Sequence, residues 1–455
     1  MSINGYDNTT HGDDDDAPYL ALLKGTSPLL PRLSSTSWLH RVLFLGTGTS
    51  GQVPAIHCLS GTNEEQTLKK SRTISCDACR DAIRPGSKNR RGCCSVALIG
   101  GNRSRKNGID LDTGAETEDE MIIIDVGPTF YSAAVSHFHR NQVPPRIAGV
   151  LLTHGHADAM LGLDSLRAWT LGGVLQDWVD VYLTKETFEV AKGAFPYLVD
   201  TSKATGGGGV GALRWNIIDG VSAFEVGVNK IQVIPLPVEH GFVSRGGPPF
   251  PTLGFRVDSF SYISDCHRVP AETANLVAGS DCVVIDSLMP RRHVSHFSVS
   301  QAVSFLLSLP PSAPSSSEEC TSRHRPRPRL GILTDLTHLL EHNALQHDLH
   351  AFTKKLRHWR RQKGDCWDPF GRPNERKGEG SGPRWWRSVW DEDEAEQDGG
   401  RIALKANAVD EFVGDQRQGS SSEDGSQTLL PHVPDIRVAW DGMVVDFDVN
   451  GLSDS

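Results

Sequence analysis

Residues Thr153-His154-Gly155-His156-Ala157-Asp158 follow directly on an apolar run, Gly149-Val150-Leu151-Leu152. A run of that length reads as a buried strand. Two imidazoles two residues apart, on the loop where a strand ends, can turn onto one ion, and a carboxylate two residues further can reach a neighbouring one. A hydrolytic metal centre asks for these residue types: neutral imidazoles for a borderline cation, carboxylates to balance its charge, and an open position for water. Beyond the loop, Met160, Leu163, Leu166 and Trp169 recur every third residue, which predicts one face of a helix. The segment reads as strand, ligand loop and helix in succession.

Other strands repeat the pattern. Arg41-Val42-Leu43-Phe44-Leu45 runs into a glycine-rich turn, Gly46-Thr47-Gly48-Thr49-Ser50-Gly51, and Ser95 to Ile99 and Met121 to Asp125 flank a polar hairpin insertion, Gly100 to Glu120. Ile231 to Val238 leads to Glu239-His240, while Leu253, Phe255 and Val257 alternate with other residues, as in a half-buried strand. Tyr262-Ile263-Ser264-Asp265 and Cys282-Val283-Val284-Ile285-Asp286 end on carboxylates, Val299 to Leu307 reads as a helix, and Ile436 to Val445 as a final hairpin or strand pair. Strands that keep delivering His or Asp at their ends, with helices between them, predict a mixed α/β sandwich with its site along one sheet edge.

The formal charge of −10 argues against general affinity for nucleic acid, which needs a basic excess. The basic stretches Arg323 to Arg329 and Lys354 to Lys363 read as solvated charge runs. No apolar run approaches the length of a membrane span. Nine cysteines, an odd number, and the acidic run Asp13 to Asp16 where a secretory signal needs a basic start predict free or metal-bound thiols in a reducing compartment, the cytoplasm or the nucleus. Residues 1–37 read as a disordered tail, 38–447 as the folded domain, and 448–455 as a short tail. Two stretches, about 310–329 (Pro- and Ser-rich) and about 363–430 (Gly-rich with acidic runs), read as disordered insertions.

Cys76-Asp77-Ala78-Cys79, with Cys58 in the same long loop, reads as a structural zinc half-site that needs two more ligands, because that spacing lets both thiolates face one tetrahedral ion. A redox motif is the weaker reading, since the pair does not follow a first strand of a thioredoxin-like unit. Cys93-Cys94 adjoins a strand and should pack inside.

His154-x-His156-x-Asp158, Asp125, His240 and Asp265 resemble the ordered motifs of the metallo-β-lactamase superfamily. Gly46 to Gly51, Leu152-Thr153-His154, Gly162-Leu163-Asp164, Pro235-Leu236-Pro237-Val238-Glu239-His240 and Trp440-Asp441-Gly442-Met443 resemble its branch of phosphoribosyl cyclic phosphate phosphodiesterases and their plant and fungal relatives. The resemblance runs from about Val42 to Val445, insertions excluded. It implies an αββα sandwich with one or two Zn²⁺ or Mn²⁺ ions at the sheet edge and a hydroxide between them that attacks phosphorus. His154, His156, His240 and Asp265 would hold the first ion; Asp158, with bridging Asp265, would begin the second. The chain departs from the family where a His is usual directly after the Asp: it has Ala159. Asp335 stands where a later His often completes the second ion. A structural zinc is implied on Cys58, Cys76, Cys79 and His338, with His342 the alternative fourth ligand, and His296 is implied as a general acid, beside Asp158, in catalysis.

The expected substrate is thus a small phosphodiester, cyclic or open. The same scaffold also carries thioester and lactone hydrolysis and RNA 3′-end processing. RNA processing would call for a basic substrate-clamping arm, and none is evident in the sequence. A scaffold weakened in catalysis by Ala159 is the reading from a different class.

Overall fold

A computed structural model describes residues 33–34, 38–59, 76–101, 105–106, 109–110, 118–244, 247–309, 328–363 and 433–448. Of the two insertions expected to be disordered, residues 310–327 and 364–430 lie outside these residues, with most of both tails. The described strands are β1 (Leu33–Ser34), β2 (Leu39–Gly46), β3 (Ser95–Gly100), β4 (Arg105–Lys106), β5 (Ile109–Asp110), β6 (Glu120–Ile124), β7 (Ile147–Leu151), β8 (Val179–Thr184) and β9 (Leu213–Ile218). They continue with β10 (Phe224–Val226), β11 (Ile231–Phe242), β12 (Pro249–Val257), β13 (Phe260–Ile263), β14 (Cys282–Asp286), β15 (Leu330–Thr334), β16 (Asp435–Val438) and β17 (Val444–Asp448). One sheet has the order β1-β17-β2-β3-β6-β7-β8-β9, the other β10-β11-β12-β13-β14-β15-β16, and β4-β5 is a small separate hairpin.

In each large sheet a run of antiparallel strands gives way to a run of parallel ones: β6, β7, β8 and β9 in the first, β13, β14, β15 and β16 in the second. Strand alternation sends every second side chain to each face. In the first sheet Val42, Phe44, Val96, Leu98, Ile122 and Ile124 point inward, and they share one core with Phe255, Tyr262, Val284 and Ile332 of the second. The intervening residues Leu43, Ala97, Met121 and Ile123 pack outward against Phe130, Leu163, Leu166 and Trp169. On the far side Val283, Ile285, Leu333 and Val438 pack against residues of the helices Val299–Ser308 and His342–Lys363. Three apolar layers between four layers of structure make the αββα sandwich. Strands covered on both faces need to be apolar at every position, which is why Met121 to Ile124 is continuous rather than alternating.

Three expectations change. The period-three run from Met160 to Trp169 is a short α-turn, Ala157–Met160, then a 3₁₀ turn, Leu163–Leu166, then another α-turn, Arg167–Thr170. A strict spacing of three is the 3₁₀ repeat rather than the α repeat. The last two strands form neither a hairpin nor a pair with each other: β16 extends the second sheet and β17 pairs antiparallel with β2 in the first. Asp441, on the turn between them, accepts hydrogen bonds from the Thr47 hydroxyl at 2.8 Å and the Gly92 amide at 2.7 Å, tying the glycine-rich turn to the crossing between sheets. Inside the expected N-terminal tail, Leu33–Ser34 pairs in parallel with Phe447–Asp448, extending regular pairing past both expected domain boundaries.

Helix Val299–Ser308 begins with a capping box between Ser298 and Gln301 and buries Val299, Ala302, Val303, Leu306 and Leu307. It lies so close to β15 that a Cβ on Gly331 would come within 2.5 Å of Leu306. Leu306→Ala should therefore destabilise the protein by ~3 kcal/mol, read as a lower urea midpoint at unchanged slope. A loss below ~1 kcal/mol would contradict this packing.

Candidate metal centre

The parallel strands bring their C-terminal ends to one edge, and so does β11, which like β13 runs antiparallel to β12. At that edge the chain places Asp125 after β6, Thr153 to Asp158 after β7, His240 near the end of β11, Asp265 after β13, Asp286 at the end of β14 and Asp335 after β15. Asp125, Asp265 and Asp335 have left-handed backbone, with φ of 61°, 49° and 62°, a region that Asp enters more readily than most side chains. The register of β11 with β12 shifts between Glu239 and Phe242, a bulge that re-aims the chain around His240. Gly127 lets the ligand loop approach: a Cβ there would sit 1.8 Å from the Asp158 carbonyl oxygen.

His154, His156 and His240 each offer a ring nitrogen within 4.8 Å of the others, and His240, Asp265 and His296 form a second such group. Two of the three histidines are oriented by hydrogen bonds. Asp125 accepts from the Thr153 amide and hydroxyl, both at 2.8 Å, and His154 Nδ1 lies 2.8 Å from that hydroxyl. His240 Nδ1 lies 2.8 Å from the Ser295 carbonyl, to which it donates. Nε2 of each ring is left facing the cluster. His154 Nε2 is buried without a hydrogen-bond partner among the described residues, an arrangement that costs ~1–3 kcal/mol unless a ligand takes up the lone pair. Burial holds the imidazole of His154 well below its usual range and brings that of His240 down to about 4, so both are neutral donors.

The carboxylates show the converse. Burial, reinforced by Asp335 and Asp158, raises Asp265 well above the usual range, and burial followed by Asp335 raises Asp158. Burial also pushes Asp125 up to about 8 against its two hydrogen bonds from Thr153. A cation in their midst is what would return these groups to the ionised form. Neutral imidazoles beside crowded buried carboxyls are a donor set suited to a divalent ion, and the site passes that test.

His296 pairs with Asp286: Nδ1 lies 2.7 Å from Asp286 Oδ2 and 3.0 Å from Asp335 Oδ2. Burial opposes its charged form, but the two carboxylates outweigh it and push the imidazole up to about 12. Asp286, fully buried and also accepting from the Cys266 amide at 2.8 Å, was not among the expected site residues. Its signal was present, since β14 ends on a carboxylate just as β6 leads to Asp125. The pocket, about 300 Å³, is lined by Thr49, Ser50, His156, Ala157, Asp158, His240, Asp265, His296 and Asp335.

Asp158 lines this pocket, yet joins no group of three ligand atoms within 4.8 Å among the described residues. Asp335 groups with His296 and Asp286 rather than with Asp158. Ala159 is buried and offers no donor. The expected second ion position is thus less fully assembled than the first.

Cys58, Cys76, Cys79 and His338 place their ligand atoms within 4.8 Å of one another. The sulfurs of Cys58 and Cys76 are 3.9 Å apart, and each is 3.4 Å from His338 Nδ1. Tetrahedral zinc with Zn–S of about 2.3 Å sets sulfurs about 3.8 Å apart. His342, the alternative ligand, is instead buried edge-on against Trp440 at 5.5 Å, outside this group. Cys93 and Cys94 are buried as expected.

Residues 120–313 match the family model of the beta-lactamase superfamily domain. Among curated proteins, an octanoyltransferase of Porphyromonas gingivalis is 24% identical over 264 residues, 58% of this chain, and the match spans only 42% of that protein. Among solved structures, a diphosphatase from the PhnP family is 22% identical with a TM-score of 0.47, covering 68% of this chain and 90% of that one. Zn²⁺-bound PqqB from Methylobacterium extorquens is 14% identical with a TM-score of 0.45, covering 90% of this chain and 100% of that one. The short form of human tRNase Z is 14% identical with a TM-score of 0.38, covering 65% and 92%. Residues 120–313 thus carry a beta-lactamase superfamily domain, and the four-layer sandwich with a His and Asp cluster at its edge, able to hold a metal ion, surrounds that matched segment.

Proposed function

We propose that the protein hydrolyses a small phosphodiester at this pocket, with one divalent ion, Zn²⁺ or Mn²⁺, held by His154, His156, His240 and Asp265. The observation that carries the reading is the convergence of three imidazoles and a buried carboxylate beside a charged His296. Such an ion supplies Lewis acidity, which acidifies water and draws charge from a phosphoryl oxygen. The remaining work falls to the chain. Asp286 holds Nδ1 of His296, leaving Nε2 to give its proton to the leaving oxygen. Asp158 lines the same pocket and takes the proton of the attacking water. Thr49 and Ser50 offer hydroxyls to the phosphoryl oxygens. Among the lining residues only His296 brings a fixed positive charge, and no Lys or Arg joins it, which favours a singly charged diester over a doubly charged monoester. Asp335 lies against His296 and Ala159 supplies no ligand, so the second ion is weak or lacking. We assign Cys58, Cys76, Cys79 and His338 to a structural zinc.

Elemental analysis tests the two sites separately. His156→Ala should lose the pocket ion and keep the cysteine-held zinc, and Cys76→Ala the reverse. An unchanged metal content in His156→Ala would overturn the pocket assignment, and in Cys76→Ala the zinc assignment.

Turnover of model diesters tests His296. Its replacement by Gln should slow hydrolysis of an alkyl ester by about 10²–10⁴-fold. A p-nitrophenyl ester, whose leaving group departs without protonation, should be slowed far less. Equal losses on both would remove His296 as the acid, and no metal-dependent activity on any diester would sink the phosphodiesterase reading.

A further inference from the structure

The three histidines of the cluster are not held alike. His154 is fixed through Thr153 and His240 through the Ser295 carbonyl. His156 has no such hydrogen bond among the described residues and is the exposed member of the three. An imidazole that binds metal usually has its orientation set by a partner on the other ring nitrogen. His156 instead lies flat against Phe250, with ring centroids 5.0 Å apart and planes only 7° from parallel. Phe250 meets the other two rings edge-on, at 6.3 Å from His154 and 6.4 Å from His240. It stands near the start of β12, just past the turn from the bulged end of β11 that carries His240.

We infer that Phe250 is a positioning residue for His156, supplying by ring stacking the orientation that hydrogen bonds supply to the other two histidines. The inference rests on the metal assignment proposed above. Stacking fixes the plane of the imidazole but leaves rotation within that plane, and it engages neither ring nitrogen. His156 is thereby the most adjustable donor of the three and the one whose hold on the ion depends on an apolar neighbour. An aliphatic side chain at 250 keeps the apolar contact and loses the aromatic face, which frees the exposed imidazole to sample other rotamers.

Graded chelation of the full-length protein tests this, with the ion that His156→Ala lacks followed apart from the one that Cys76→Ala lacks. Phe250→Leu should weaken the pocket ion by about threefold to tenfold, the size of one aromatic stack, and leave the cysteine-held ion unmoved. Phe250→Tyr, which keeps the face, should match the unmodified protein. Phe250→Met, a second non-aromatic replacement of different shape, should behave as Phe250→Leu. Unchanged affinity in both non-aromatic variants, or an equal weakening of the pocket ion and the cysteine-held ion, would overturn the inference. If the unmodified protein holds no ion that His156→Ala lacks, the metal assignment itself falls, and this inference with it.

Discussion

Carboxylates from separate strand ends crowd one edge of the sandwich, and water is largely excluded from them. Asp125, Asp265, Asp286 and Asp335 are all buried. Ionised together they would repel one another in a medium that screens poorly, a cost of several kcal/mol per uncompensated charge. His296 supplies one positive charge and takes it between Asp286 and Asp335. The other side of the cluster holds neutral imidazoles, with the Nε2 lone pair of His154 buried and unpartnered among the described residues. On the proposed assignment, one divalent ion among His154, His156, His240 and Asp265 would meet both deficits. The same ion would favour the ionised form of Asp125, so that Thr153 donates to it and receives from His154 Nδ1, which turns the lone pair on Nε2 toward the ion.

The scaffold is arranged around that requirement. The strand ends converge because the parallel runs of both sheets finish at one edge, and left-handed Asp residues let the chain turn sharply there while the side chain stays in the cluster. Gly127 admits the ligand loop, and the bulge in β11 turns the chain at His240. The Thr153 carbonyl accepts from the Leu253 amide of β12 at 3.0 Å, joining the ligand loop of one sheet to a strand of the other. The cysteine cluster is coupled to the same region, since His338 lies three residues beyond Asp335. An ion at that cluster would hold the loop of Cys58 to Cys79 against the segment that follows β15.

Much of this was legible in the chain because it is local. An apolar run followed by His-x-His-x-Asp is a contiguous signal, and continuous apolar strands report burial on both faces. Strand-terminal Asp125, Asp265 and Asp286 were all visible, but the pairing of Asp286 with His296 spans a loop whose path no local pattern encodes. Phe250 was hidden for a related reason: a lone aromatic between prolines carries no periodicity, and its meaning comes from the ring it covers. Met160 to Trp169 misled because period three was read as an approximate α repeat. The division of β16 and β17 between two sheets goes with Asp441 accepting from Thr47 and Gly92, contacts hundreds of residues apart in sequence.

X-ray absorption on zinc-loaded Cys76→Ala protein tests the central claim most directly, because it reports the shell of the pocket ion with the cysteine cluster disabled. The expected shell has only nitrogen and oxygen at about 2.0–2.1 Å, with the multiple scattering of imidazoles. Sulfur in that shell, or a shell without imidazole, would contradict a pocket ion held by His154, His156, His240 and Asp265.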